Sequence, residues 1–118
     1  MLTPDQTMTI LTKAREKIAL GWCQEVYARD AKGKSVISND VSACRWCVVG
    51  ALSIAVEDCS HLFPEMLEFL SRFLPSAVSG EGESGLGNYN DARTTTQQDI
   101  LALLDRAIAV AKKTEVTV

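Results

Sequence analysis

Absences set the first limits on this chain. No apolar run approaches the roughly 18 residues a bilayer crossing needs. The longest, Cys47 to Val56, contains Ser53 and stops at Glu57-Asp58, so no membrane span is expected. Basic residues are not in excess: 12 Lys+Arg stand against 15 Asp+Glu, for a net charge of −3, and the bases are scattered. A protein that neutralises a phosphate backbone carries a basic face, so nucleic acid is not an expected partner. Histidine occurs once, as His61. The stretch Met1-Leu2-Thr3-Pro4-Asp5 lacks the basic and apolar regions of a signal peptide. The four cysteines, Cys23, Cys44, Cys47 and Cys59, are therefore expected to be reduced thiols in a cytoplasmic protein. No internal repeat or low-complexity segment is visible.

What remains is an ordinary globular composition, 47% hydrophobic and 23% charged. A length of 118 residues predicts one domain over 1–118, because two independent cores would each be too small. A first helix opens at Thr3-Pro4-Asp5-Gln6, with Thr3 as cap, Pro4 in the first turn and Gln6 closing a capping box. Leu11, Ala14, Ile18 and Trp22 mark its buried face, and it ends near Gly21 or continues into Tyr27. Ser35-Val36-Ile37-Ser38 suits a short extended piece. A second helix, Val41 to Glu57 with caps among Asn39, Asp40 and Ser42, is apolar on nearly every side, the mark of a buried central helix. Gly50 within it suggests close approach of a neighbouring helix.

A third helix is predicted from Pro64 to Leu74, with Pro75 stopping it. Residues 75–93, with four glycines, read as a long loop, functional or mobile. The last helix is capped by Thr94 with Gln97 or Thr95 with Gln98. Its buried stripe is Ile100, Leu103, Leu104, Ala107, Ile108 and Ala111. The fold class expected is all-α: a small compact bundle of about four helices around a central apolar one, with a Gly-rich loop before the last helix.

Three candidate sites compete with plainer readings. Cys44-x-x-Cys47, with Cys59, His61 and Cys23, has thiols and an imidazole for metal. An apolar helix is the wrong setting for a zinc knuckle, and packing as small buried hydrophobes is the simpler account, so no metal is assigned. Cys47 as nucleophile, with His61 as base and Asn90 or Asp91 to orient it, is a second. Its expected place inside an apolar helix raises rather than lowers the thiol pKa. The third is the polar cluster Tyr89, Asn90, Asp91 and Arg93 before a helix start, a candidate binding surface. Its plainer reading is turn and capping chemistry, with Arg93 paired to a carboxylate. No motif calls for a cofactor.

Several blocks together carry a resemblance: Gly21-Trp22-Cys23; Arg45-Trp46-Cys47-Val48-Val49-Gly50-Ala51-Leu52; Tyr89-Asn90-Asp91 with Thr95; and Ile100 to Ile108. The chain resembles a family of small bacterial and phage proteins of unknown function, with a Trp-Cys-x-x-Gly-Ala-Leu helix and a Tyr- or Trp-Asn-Asp loop. The resemblance implies a helical fold and brings no activity or catalytic residues. Cys47 and Asn90-Asp91 then either meet as a site or form a buried polar tie between loop and helix, which requires full hydrogen-bond satisfaction.

The function expected first is a non-enzymatic accessory protein that binds another macromolecule, by analogy a phage-type inhibitor of a host or defence complex. Its contact face would be acidic: Asp99 and Asp105 on the last helix, with Glu65 and Glu68 on the third. The alternative is a small-ligand binder or cysteine-dependent enzyme using Cys47 with the Asn90-Asp91 loop, in a pocket lined by Trp46 and Tyr89. A protein partner is expected, with the chain a monomer or a homodimer through Phe63, Phe69 and Phe73.

Overall fold

The computed structural model describes residues 2–116. Helix α1, Pro4–Leu20, begins with the capping box the sequence announces: the Thr3 hydroxyl accepts from Gln6 N–H at 3.1 Å, and Thr3 N–H donates to Gln6 Oε1 at 3.0 Å. It stops at Gly21, whose N–H closes on Lys17 O at 3.1 Å. There the chain passes so close to its own later segment that a Cβ on residue 21 would sit 2.3 Å from Cys44 O.

The next stretch departs from an all-α fold. Strands β1 (Ala28–Arg29), β2 (Ser35–Val36) and β3 (Arg45–Trp46) form an antiparallel sheet in the order β2-β1-β3, with Ala28 opposite both Val36 and Trp46. Residues 41–47, expected as the first turns of a helix, are instead a turn leading into β3. Asp40 explains this, because its carboxylate takes Ser42 N–H at 2.9 Å as well as the Ser42 hydroxyl. A side chain that satisfies local N–H groups this way competes with helix formation. Trp46 then anchors β3, its indole N–H donating to Ser38 O at 2.9 Å.

Helix α2 is consequently short, Val48–Ala55, but it is the central apolar helix expected, with Val48, Val49, Gly50, Ala51, Leu52 and Ala55 all buried. The close neighbour at Gly50 is not a helix. A Cβ there would lie 2.2 Å from the carbonyl oxygen of Tyr27, in the segment that enters β1. A 3₁₀ segment, Glu57–Leu62, leads into α3, Phe63–Ser71. The rings of Phe63, Phe69 and Phe73 pack half-buried against the core, Phe69 and Phe73 edge to face at 5.4 Å.

The segment 75–93 is not a continuous loop: Gly82–Asp91 forms α4. Three glycines oppose a helix there by roughly 1 kcal/mol each, so its stability must come from packing. Leu86 and Asn90, one turn apart, are both fully buried, and α4 lies against α3 and α2. Helix α5, Gln97–Val116, starts slightly later than the predicted caps. Thr96 and Asp99 cap it reciprocally, with Asp99 N–H on Thr96 Oγ1 at 3.2 Å and Thr96 N–H on Asp99 Oδ2 at 2.9 Å. Its predicted stripe is buried, with Ile108 only partly so, and it packs antiparallel to α1. Gln97 ties its start to the end of α1 by donating to Ile18 O at 2.7 Å. Among the described residues no helix is long and apolar enough to cross a membrane.

Candidate functional site

Asn90 is the place where three distant parts of the chain meet. Fully buried near the end of α4, it accepts from the Trp22 indole N–H at 2.8 Å and from Val48 N–H at 3.0 Å through Oδ1. Its amide NH₂ donates to Cys23 O at 3.1 Å and to Asp91 Oδ1 at 3.0 Å. All four hydrogen-bonding positions of the side chain are used, the full satisfaction a buried amide requires. One of those bonds also satisfies the first orphan amide of α2. Gln24 reinforces the junction by donating to the carbonyls of Asn90 and Ala92, both at 3.0 Å. Asp91 Oδ1 accepts a second bond, from Glu25 N–H at 2.8 Å. Glu25 has φ +76°, a left-handed conformation costly for a residue with a Cβ, and this bond helps to hold it there.

Beside the junction opens a cleft of about 300 Å³. It is lined by Val26, Cys47 and Val49 together with Glu25, Tyr27, Glu83 and Asp91, and Gly87 leaves space on the α4 side. Tyr27 O–H donates to Glu83 Oε2 at 3.3 Å, and the charge of Glu83 holds the phenol above its ordinary pKa. The cleft thus has three carboxylates and no Lys or Arg in its lining.

Cys47 lies at the N-cap of α2, not a turn inside a helix as expected. Its Sγ accepts from Gly50 N–H at 3.3 Å. Two opposing influences act on the thiol. Burial raises its pKa, and the amides of Gly50 and Val49 pull it down. Burial wins, so the group is a weak nucleophile at neutral pH. Nor is the expected base, His61, beside it. Cys47 caps one end of α2, while His61 sits exposed in the 3₁₀ segment beyond the other end and does not line the cleft. Eight helical residues separate the two ends by about 12 Å at about 1.5 Å of rise each. Cys44 and Cys47 do not share a helix face, since β3 separates them, and among the described residues no three His, Cys, Asp or Glu groups converge as a metal site demands.

The polar cluster at 89–93 divides in two. Asn90 and Asp91 face the junction and cleft. Tyr89 lines a separate surface groove with Pro75, Val78 and Thr95, and Arg93 is exposed without an ion pair among the described residues. Trp46, expected as a wall of the pocket, is buried under Lys17, whose Nζ lies 4.8 Å from the ring centroid. The residues that line the cleft in place of Trp46 and Tyr89 include Glu25, Tyr27 and Glu83. Sequence reasoning passed over them because Glu83 fell in an apparent loop and no local pattern marks Glu25 as left-handed. The one available signal was the run of Gln24, Glu25 and Tyr27 directly after Gly21-Trp22-Cys23.

No curated protein and no solved structure matches the chain. Residues 2–110 match the model of a family of unknown function, and the chain belongs to that family, DUF6197.

Proposed function

We propose that this protein acts by binding, without catalysis, and that its acidic cleft receives a basic side chain presented by a protein partner. One observation carries the reading: Glu25, Glu83 and Asp91 surround a concave cleft whose lining holds no cation. A volume of about 300 Å³ is at the small end for a ligand pocket and suits a single long side chain better than a substrate with several recognition groups. Arginine fits such a place through its planar donor fork, with its apolar stem against Val26 and Val49.

Three of the four acidic groups first considered for a contact face, all but Glu68, have other duties. Asp105 pairs with Arg15 at 2.6 Å, Asp99 caps α5, and Glu65 accepts from Leu2 N–H at 3.0 Å. The carboxylates at the cleft are the better-placed set. The cysteine-dependent alternative is favoured only by the position of Cys47 in the cleft lining. It is opposed by the raised thiol pKa and the distance of His61.

The test is a titration of ¹⁵N-labelled protein with short peptides carrying one central Arg, Lys or Gln. Saturable shifts at residues 25–27, 47–49 and 83–91 are expected for the Arg and Lys peptides alone. They should be lost in the E25Q/E83Q double variant, which leaves the structural Asp91 in place. Equal shifts with the Gln peptide, or unchanged binding in the double variant, would refute the proposal. Rapid iodoacetamide labelling of native Cys47 would instead favour the thiol reading.

A further inference from the structure

The segment that leads to the cleft brings the backbone around Cys23 alongside that around Cys47. Trp22 and Trp46 form a parallel bridge, made by Trp46 N–H to Gly21 O at 3.0 Å and Cys23 N–H to Trp46 O at 3.2 Å. The bridge is a single pair; continuing its register by one residue brings Cys23 opposite Cys47, and residues paired in this way leave the same face. Adjacent strands lie about 4.8 Å apart, within the Cα separation of roughly 4.4–6.8 Å that a disulfide spans.

Three further observations fit this placement. Both residues are buried, at 6% and 7% exposure. A charge on Cys47 raises the Cys23 thiol, second only to burial, so the two groups are near enough to interact. Neither sulfur is firmly held elsewhere: Cys23 Sγ lies 3.6 Å from Val26 O, Cys47 Sγ is 3.3 Å from Gly50 N, and sulfur is a weak hydrogen-bonding partner. Cys47 lines the cleft. The other two cysteines lie outside this register, Cys44 before β3 and Cys59 in the 3₁₀ segment.

We propose that Cys23 and Cys47 form a reversible modification site that closes to an intramolecular disulfide by exchange with a small disulfide of the glutathione class. The first step is slow, because burial keeps Cys47 mostly protonated; its small thiolate fraction attacks one sulfur of the small disulfide, forming a mixed disulfide and expelling a small thiolate. The Cys23 thiolate then attacks Cys47 Sγ. The protein S–S bond forms, the mixed bond breaks and a second small thiolate leaves. The two departing thiolates take up the two protons the cysteines released. Two protein thiols are oxidised to one disulfide, and one small disulfide is reduced to two thiols. Closure takes Cys47 Sγ away from Gly50 N–H and pins residues 21–23 covalently to the start of α2, beside the cleft.

The test uses the full-length C44A/C59A variant, in which Cys23 and Cys47 are the only thiols, alongside the unaltered protein. Each is incubated folded with glutathione disulfide, then analysed by intact mass and by peptide mapping without reductant. The expected product has lost the mass of two hydrogens, yields a Cys23–Cys47 linked peptide and returns to the dithiol with dithiothreitol. A lasting glutathione adduct on Cys47 without the internal bond would mean that Cys23 cannot reach it, and would overturn the proposal. So would a folded variant that stays unmodified where its denatured form oxidises, or a bond through Cys44 or Cys59 in the unaltered protein.

Discussion

The seam between α1 and α5 and the junction at Asn90 hold the molecule together in opposite ways. At the seam, Leu11, Ala14 and Ile18 of α1 belong to the same buried core as Ile100, Leu103, Leu104 and Ala107 of α5. Apolar contact of this kind is non-directional and shared among many atoms, so a lost methyl group is felt locally and partly absorbed. At the junction, one side chain spans residues 22, 23, 48 and 91 by four directional bonds. A directional tie specifies a unique arrangement, but it fails at a single point, because the Val48 amide and the Cys23 carbonyl stay buried once released. The chain thus entrusts its bulk stability to the seam and the shape of its cleft to one amide.

Four substitutions would sharpen or break that contrast. Asn90→Ala strands the Trp22 indole, the Val48 amide and the Cys23 carbonyl. At about 1–3 kcal/mol for each buried unsatisfied group, the loss is about 4 kcal/mol. Leu104→Ala in the seam should cost about 3 kcal/mol, within the range for a core leucine. Chemical denaturation measures both, and hydrogen exchange separates them: the junction variant should lose protection first at 22–27 and in α4, the seam variant across the whole core. If the Asn90 variant unfolds at the same denaturant concentration as the parent, the junction is not the single point of failure described here.

Gly50→Ala comes next. Helix propensity alone predicts a gain of up to about 1 kcal/mol. The approach of 2.2 Å to the Tyr27 carbonyl, a backbone atom, reverses the sign, and the expected outcome is a loss of about 2 kcal/mol as the overpacked segment shifts. A melting temperature above that of the parent would show that the entry to β1 yields easily. The smallest effect belongs to the polar edge of the seam. Arg15 and Asp105 are both solvent-accessible, and Arg15→Ala should change stability by about 0.5 kcal/mol, less at high salt. A loss several times larger would mean that the seam also depends on a directional contact.

The parts legible in advance were those whose cause lies within a few residues. The capping box at Thr3 and Gln6, the buried stripe of α5 and the all-round apolarity of α2 are each local patterns, and each appears in the fold. The caps of α5 were misplaced by only one or two residues, because three successive threonines offer nearly the same chemistry. At the candidate site, Cys47, Asn90 and Asp91 were named together and do line one cleft. Tyr89 and Arg93 were named with them on adjacency alone: α4 turns Tyr89 to another face, and Arg93 lies beyond the end of that helix.

The amino-acid sequence by itself determined a mostly helical single chain with an apolar helix at its centre and two long amphipathic helices to enclose it. Periodicity and capping act over three or four residues and need no distant partner. The tertiary structure decided that 41–47 turns into a strand, that the glycine-rich 82–91 is helical, and that Glu25, Glu83 and Asp91 line one cleft with Cys47. Those outcomes depend on contacts between residues far apart in the chain, such as Asn90 with Trp22 and Val48. For α4, the packing of Leu86 and Asn90 outweighs what its glycines prefer.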